Sequence, residues 1–295
     1  MAGYVFYNGF WNPDGPPEVV RSLTAAAAAR GAKWVPLPNT AVTAEFTGER
    51  RERALRVPPL QAGDYALFWD KDVRLARALE AMGVRLYNTA AAVAVCDDKA
   101  ATHLELARRG VPMPRTLVAP MTYVNMDAQG DAFLRRGAET LGFPLVVKEC
   151  FGSLGGQVYL ARDRGQLCRL ADTMGPKPFL LQQFVAASAG EDKRLYVVGG
   201  RVAAAMRRRS ETDFRANIGG GGRGEACSPT AEEERLALEC AAILGAEIAG
   251  VDLLQSETGP LVCEVNSNAH FAALTACTGV DVAGLIADYV LQREE

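Results

Sequence analysis

The stretch from Gly250 to Asn268, GVDLLQSETGPLVCEVNSN, constrains this chain more than any other. Two runs of strand composition, Val251–Leu254 and Leu261–Val265, flank turn residues Ser256, Thr258, Gly259 and Pro260, which predicts a β-hairpin. Side chains two apart on a strand share a face. Glu264 and Asn266 therefore point the same way, and the hairpin brings Asp252 across from them. Three hard oxygen donors would then lie on an otherwise apolar ribbon. Buried carboxylates are costly unless a cation or dense hydrogen bonding compensates. Mg2+ or Mn2+ suits so few protein oxygens, with water or phosphate oxygens completing the octahedron. A surface hairpin with solvated acids at its ends is the competing reading, and spacing alone leaves both open.

At 295 residues the chain exceeds one ordinary core, so two or three domains are expected. With 49% apolar and 23% charged residues, it has the composition of a soluble globular protein. A net charge of −3 and a pI of 5.6 give no electrostatic case for nucleic acid or an acidic membrane as partner. The opening MAGYVFYNGFWN lacks the basic and apolar segments of a signal peptide, and the Ala25–Ala29 run is too short to span a bilayer. Seven cysteines without a CxxC pair read as reduced, mostly buried thiols of a cytoplasmic protein. The two histidines, His103 and His270, are not in zinc-ligand spacing.

The first third alternates strands (2–7, 33–37, 64–69, 84–87) with helices (16–29, 71–82), which predicts a small parallel α/β sheet. Ligands bind beyond the carboxyl ends of such strands. The segments there, Asn8–Asn12 and Trp69–Asp72, are candidate substrate contacts; alternatively Phe10, Trp11 and Trp69 cap the core. Residues 39–62 read as a loose connection. Asp97 or Asp98 can cap a helix over Lys99–Arg109. A lysine in the first turn, Lys99, is unfavourable unless an anion is near. His103 reads as structural. A strand at Arg115–Ala119, a polar connection at 120–131 and a helix at Asp131–Leu141 follow.

The strand Leu145–Val147 delivers Lys148 beside the loop Gly152-Ser153-Leu154-Gly155-Gly156, which returns as a strand over Gln157–Ala161. Glycine lets backbone N–H groups approach an anion closely. No GK[ST] follows and no helix opens on the glycines, so neither a P-loop nor a dinucleotide fingerprint is present; a simple glycine hairpin is the alternative. A helix over Asp163–Met174 precedes Phe179–Val185, read as an edge strand whose free backbone groups suit an adenine base. Next, Asp192–Val198 and Arg201–Arg208 form a hairpin turning on Gly199-Gly200. Arg207, Arg208, Arg209, Arg215 and Arg223 then outnumber Glu211, Asp213 and Glu225, and arginine forks grip phosphate or carboxylate bidentately. Gly219–Gly222 gives this segment the character of a flap closing over a reacting anion, against the alternative of a solvated basic loop. Helices over Thr230–Gly245 and Val280–Gln292 complete the reading.

In this order, a CDDK-led helix, a PLVVK strand, a glycine loop, a hinge strand, RRRSETDFRANIGGGG and GVDLL…GPLVCEVNSN, the chain resembles the ATP-grasp superfamily, and within it the RimK-like α-L-glutamate ligase group. The likeness covers roughly residues 88–290. It implies an α/β fold with α+β lobes: a small parallel pre-ATP-grasp domain (1–95), a small lobe with phosphate loop and hinge (96–185) and a carboxyl-terminal lobe with flap and metal site (186–295). It implies ATP and two Mg2+ (or Mn2+) ions. Lys99 and Lys148 would contact the phosphates, and Gly152, Ser153, Gly155 and Gly156 would cover them. Gln183, Phe184 and Val185 would line the adenine pocket, and Asp192 would reach the ribose. Arg215 and Asn217 would hold the transferred phosphate, and Arg194 would lie on the substrate side. Asp252, Glu264 and Asn266 would ligate the metals. Where many relatives continue Ser-Pro-Gly after the metal asparagine, this chain has Ser267-Asn268-Ala269-His270-Phe271, which puts the acceptor in doubt. The implied activity is ATP-dependent ligation of a carboxylate and an amine through an acylphosphate, with a small molecule, peptide or protein tail as acceptor and a homo-oligomer as the expected assembly. A kinase stopping at phosphoryl transfer and a non-catalytic nucleotide-binding module are the alternatives.

Overall fold

The computed structural model describes residues 2–46, 55–123, 131–153 and 155–294. Apolar runs with turn residues between them build the first region. It comprises β1 (Gly3–Tyr7), α1 (Glu18–Ala28), β2 (Trp34–Pro38), the short β3 (Glu45–Phe46) and β4 (Leu55–Arg56), β5 (Tyr65–Trp69), α2 (Val73–Ala81) and β6 (Arg85–Tyr87). As expected, β1, β2, β5 and β6 form a parallel sheet, in the order β2-β1-β5-β6. All five residues of β1 and of β5 are buried, as strands covered on both faces require. The loose connection holds the β3–β4 pair, and its residues 47–54 lie outside the described residues. Two helices follow, α3 (Ala90–Asp97) and α4 (Lys99–Ala107). Thr89 caps the first through Ala92 N, and Asp98 caps the second through Ala100 N and Ala101 N.

The middle region runs β7 (Thr116–Val118), α5 (Asp131–Leu141), β8 (Leu145–Glu149), β9 (Val158–Ala161), α6 (Arg164–Met174) and β10 (Phe179–Gln183). Most of the polar connection before α5 (124–130) is outside the described residues. The four strands form an antiparallel sheet in the order β7-β10-β8-β9. This corrects the reading of β10 as an edge strand: it pairs with β7 on one side and β8 on the other. Its fully apolar Phe179, Leu180 and Leu181 are the composition of an interior strand.

The last region holds β11 (Glu191–Val198), β12 (Arg201–Arg209), β13 (Arg223–Ala226), α7 (Ala231–Leu244), β14 (Ile248–Ser256), β15 (Gly259–Asn266), α8 (Ala272–Thr278) and α9 (Val282–Glu294). Its strands form an antiparallel sheet, β13-β12-β11-β14-β15. The β11–β12 hairpin turns on Gly199 and Gly200, both at positive φ (57° and 77°), where side chains other than glycine are strained. Thr230 and Glu233 form a reciprocal capping box at α7, and Gly245 ends it left-handed.

The first and last regions share one core. Val5, Tyr7, Trp34 and Trp69 pack with Tyr196, Ile248, Phe271, Val282 and Val290. Asn88 stitches the seam: its Nδ2 donates to Ile248 O and Ser267 O, both at 2.7 Å, and its Oδ1 accepts Ile248 N at 3.0 Å. The middle region has its own cluster around Leu145, Val147, Leu167, Phe179 and Leu181.

Candidate functional site

A cleft of about 810 Å3, open mouth included, lies between the middle antiparallel sheet and the five-stranded sheet. It is lined by Lys99, Lys148, Gly152, Ser153, Gly155, Gln183, Phe184, Val185, Asp192, Arg215, Asn217, Asp252 and Glu264, all singled out from the sequence. Gly156, Arg194 and Asn266 are not among its lining residues.

Two ammonium groups meet here from different elements. Lys148 is the fourth residue of β8 and Lys99 the first of α4; they are only 6% and 7% exposed. Lys99 Nζ lies 3.4 Å from Glu264 Oε1 and 3.4 Å from Gly152 O. Lys148 Nζ donates to Cys263 Sγ at 3.4 Å, and a thiol is a weak acceptor. Burial raises the Cys263 thiol above its ordinary pKa, against the pull of Lys148, so the sulfur does not neutralise the lysine. Two buried cations facing one carboxylate leave positive charge for an anion.

Over this corner lies the glycine loop; its Leu154 is outside the described residues. Gly155 sits at φ 74°, and a Cβ there would stand 2.7 Å from Asn217 Oδ1. The left-handed backbone, more than the movable Asn217 side chain, is what favours glycine there. Arg215 latches the same loop, with Nη1 donating to Gly155 O at 2.6 Å and Val158 O at 3.2 Å. Its Nε and Nη2 donate to Asp213. Four of its five N–H groups are thus committed to the protein. The Gly219–Gly222 stretch forms a compact turn closed by Gly222 N donating to Asn217 O at 3.1 Å.

On the opposite wall two carboxylates and two arginines interlock. Arg194 grips Asp252 bidentately (Nε–Oδ1 and Nη2–Oδ2, both 2.7 Å). Arg208 grips Asp192 in the same way (2.6 and 2.7 Å) and reaches Asp252 Oδ2 at 2.9 Å. Burial works against ionised Asp252, yet Arg194 and Arg208 outweigh it and hold the carboxyl below its ordinary pKa. Burial raises Asp192 above its ordinary value against the pull of Arg208, and the Asp252 charge adds to the rise. Arg208 was visible in the sequence only as one of three adjacent arginines. Strand alternation is the signal that separates it, turning Arg208 into the cleft while Arg207 and Arg209 lie on the other face of the sheet.

The donor set suits a small divalent cation. Asp252 and Glu264 are cross-strand partners at a bulge, and Asn266 lies two residues on, opposite Gly250. Asp252 Oδ1 accepts a single N–H and keeps a lone pair. Asn266 could ligate only through Oδ1, and its buried Nδ2 has no hydrogen-bond partner among the described residues. No three carboxylate, thiol or imidazole groups converge among the described residues. The protein therefore offers a partial shell, as Mg2+ tolerates when substrate phosphates and waters complete it.

Behind the cleft, the β10 ladder ends at Gln183, and Phe184 and Val185 continue beyond it, with Phe184 edge-on to Phe214. His103 is buried within α4, and its Nδ1 lies 2.7 Å from Lys99 O. Burial, aided by the Lys148 charge, lowers its pKa to about 4. An imidazole depressed from 6.5 stabilises the fold fully above pH 6.5, and that contribution is lost as pH falls towards 4. The shift corresponds to about 3 kcal/mol. Chemical denaturation at pH 7 and pH 4.5 should therefore show less acid sensitivity in His103→Leu than in the parent; identical slopes would contradict this.

The amino-terminal loops divide between their two readings. Phe10 and Trp11 are 81% and 74% exposed and cap nothing, whereas Trp69 is buried edge-on against Phe271. His270 is exposed along the chain just after β15, and partial desolvation of its ring, with the Arg194 charge adding to it, lowers its pKa. Of the seven free cysteines, Cys96, Cys150 and Cys240 are buried and the rest half-buried.

Comparison with known proteins agrees with this geometry. Residues 96–290 match the model of the RimK-like ATP-grasp domain. The human β-citrylglutamate synthase B is 41% identical over 224 residues, 75% of this chain and 56% of that protein. A "Probable alpha-L-glutamate ligase" from Sodalis glossinidius is 34% identical over 292 residues, 95% of each chain. The chain thus spans about half the length of the synthases it matches first, and nearly all of the bacterial ligase. Among solved structures, a RimK domain ATP-grasp protein from Sphaerobacter thermophilus superposes with a TM-score of 0.74 and 24% identity, covering 98% of this chain and 99% of that one. The parallel amino-terminal sheet, the two antiparallel sheets and the cleft between them are accordingly those of an ATP-grasp protein, and the chain belongs to the RimK-like ATP-grasp domain family.

Proposed function

We propose that this protein is an ATP-dependent carboxylate–amine ligase that forms an amide through an acylphosphate, with glutamate as one of the joined amino acids. The observation that carries this is the pairing, in one cleft, of buried Lys99 and Lys148 with Asp252 and Glu264 on the facing hairpin. Phosphoryl transfer asks a protein chiefly for positioning and charge neutralisation, and this cleft offers both without an activated serine or cysteine. Lys99, Lys148 and the loop Gly152–Gly156 hold the phosphates. Gln183, Phe184 and Val185 line the adenine, and Asp192 lies at the ribose. Arg215 and Asn217 hold the loop against the transferred phosphate. Asp252, Glu264 and Asn266 would hold Mg2+ or Mn2+, which supplies charge neutralisation at the phosphate oxygens when bound. A substrate carboxylate oxygen attacks the γ-phosphorus and ADP leaves. The neutral amine nitrogen then attacks the acyl carbon, phosphate departs, and the ammonium proton passes to solvent or a carboxylate. Glutamate is favoured because the relatives bear the names of glutamate ligases and a citrylglutamate synthase. A cytoplasmic location, favoured by seven free thiols, completes the proposal.

The test is to incubate the protein with ATP, Mg2+, glutamate and pools of carboxylic acids and peptides. Release of free phosphate together with a new amide supports the ligase. A stable phosphoester would make it a kinase, and nucleotide binding without turnover a binding module.

A further inference from the structure

Gln182 is buried within β10, 2% exposed, yet lines the cleft beside the strand end proposed to carry the adenine. Its hydrogen bonds fix which end of its amide faces which way. Thr116 Oγ1 donates to Pro114 O at 2.8 Å, so towards Gln182, at 2.9 Å, it accepts. His103 Nδ1 faces the carbonyl of Lys99, which can only accept, so Nδ1 carries the proton and Nε2 is left as an acceptor. That Nε2 lies 2.8 Å from the Gln182 amide. Two acceptors therefore converge on Gln182 from different elements, and both require its NH2 group. A flipped amide would set oxygen against oxygen on one side and oxygen against an unprotonated nitrogen on the other. The low pKa of His103 keeps this arrangement neutral at physiological pH. Gln182 Oε1 has no protein partner among the described residues.

Resting on the nucleotide reading above, we propose that His103, through its fixed tautomer, positions Gln182 so that Oε1 is held as an acceptor for the exocyclic amine of a 6-aminopurine, making this pair the base-selectivity device of the cleft. A 6-oxopurine would set its carbonyl against Oε1. The amide cannot turn to meet it without losing both Thr116 and His103. A site built to hydrogen-bond one partner rejects the analogue that leaves its polar groups opposed. Because His103 also holds the carbonyl of Lys99, the same imidazole ties the base side of the cleft to the first turn of the helix carrying the phosphate lysine.

The experiment measures dissociation constants of ATP, GTP and purine riboside triphosphate, which lacks the 6-amino group, by displacement of a fluorescent ATP analogue from the full chain. In the parent protein, purine riboside triphosphate should bind about tenfold more weakly than ATP, and GTP weaker by on the order of a hundredfold. Gln182→Met, close in shape but without an acceptor, should bind ATP and purine riboside triphosphate equally. His103→Leu should lower the ATP-to-GTP ratio by about tenfold, because the amide is freed to turn, and adding it to Gln182→Met should change selectivity no further. A merely structural histidine would lower all three affinities together and leave the ratios alone, which would overturn the proposal. Should His103→Leu fail to fold, Gln182→Met decides alone. If the three nucleotides bind the parent equally, only the selectivity device is refuted. If none binds, the nucleotide reading falls and this inference with it.

Discussion

Substituting Arg208 by methionine is expected to destabilise the protein by about 3–5 kcal/mol at neutral pH, the range for breaking a buried ion pair from one side. Arg208 is 3% exposed and bonds both oxygens of Asp192, while Asp252 retains Arg194 as a partner. The loss therefore falls mainly on Asp192, left buried and unpaired. Its pKa, already raised by burial, must then rise further, so the folded variant binds a proton that the unfolded chain does not. The deficit should shrink as pH is lowered towards 5 and grow towards 8. Combining Arg208→Met with Asp192→Asn should recover much of the stability, because the uncompensated charge is gone. Urea denaturation of the two variants and the parent, at three pH values, measures all of this. A cost below about 1 kcal/mol, typical of an exposed pair, would show that the four-charge cluster does not hold this wall of the cleft.

Replacing Glu264 by alanine is expected to lower turnover by at least about a thousandfold, comparable to removing a principal transition-state stabiliser, while leaving the fold intact. Glu264 is 28% exposed at its side chain, and its ion-pair partner is Lys99 at 3.4 Å. Deleting it removes little packing, so the fold should be retained, with the melting temperature lowered only by the loss of the Lys99 counter-charge. Turnover should fall because the cross-strand partner of Asp252 is lost from the proposed metal shell and because Lys99 loses its counter-charge. Phosphate release assayed over a range of Mn2+ concentrations checks the first cause. Turnover near the parent level would remove Glu264 from the metal assignment.

The late hairpin was legible because its pattern is local: both strands and the turn lie inside one stretch, although the pairing of Asp252 with Glu264 is completed by a bulge between Asp252 and Leu253 that the turn does not state. The two lysines were legible for the same reason, Lys99 opening α4 and Lys148 lying one residue from the end of β8. Four things were not. The position of β10 inside its sheet depends on β7, about sixty residues earlier, and no local pattern states which strands pair. Helices α3 and α8 escaped because AAAVAVCD and AALTACT are nearly apolar throughout and show no amphipathic period. The partnership of Arg208 with Asp192 depends on a bulge at Tyr196/Val197, which shifts the register by one residue. That Arg194 clasps Asp252, away from the cleft lining, was likewise invisible, since it needs the pairing of β11 with β14 across half the lobe.

The common core beneath the parallel sheet and the last lobe bears on how such proteins can be recombined. Arg30 is clasped to Asp288, and Tyr87 Oη donates to Glu294 at 2.6 Å, so α9 is fastened to the amino-terminal sheet as well as to its own lobe. A chimera that grafts another relative's first ninety residues onto this chain would meet a foreign surface at Phe271, Val282 and Val290. Grafts that carry the terminal helix along with the head should stay soluble, and those that leave it behind should aggregate.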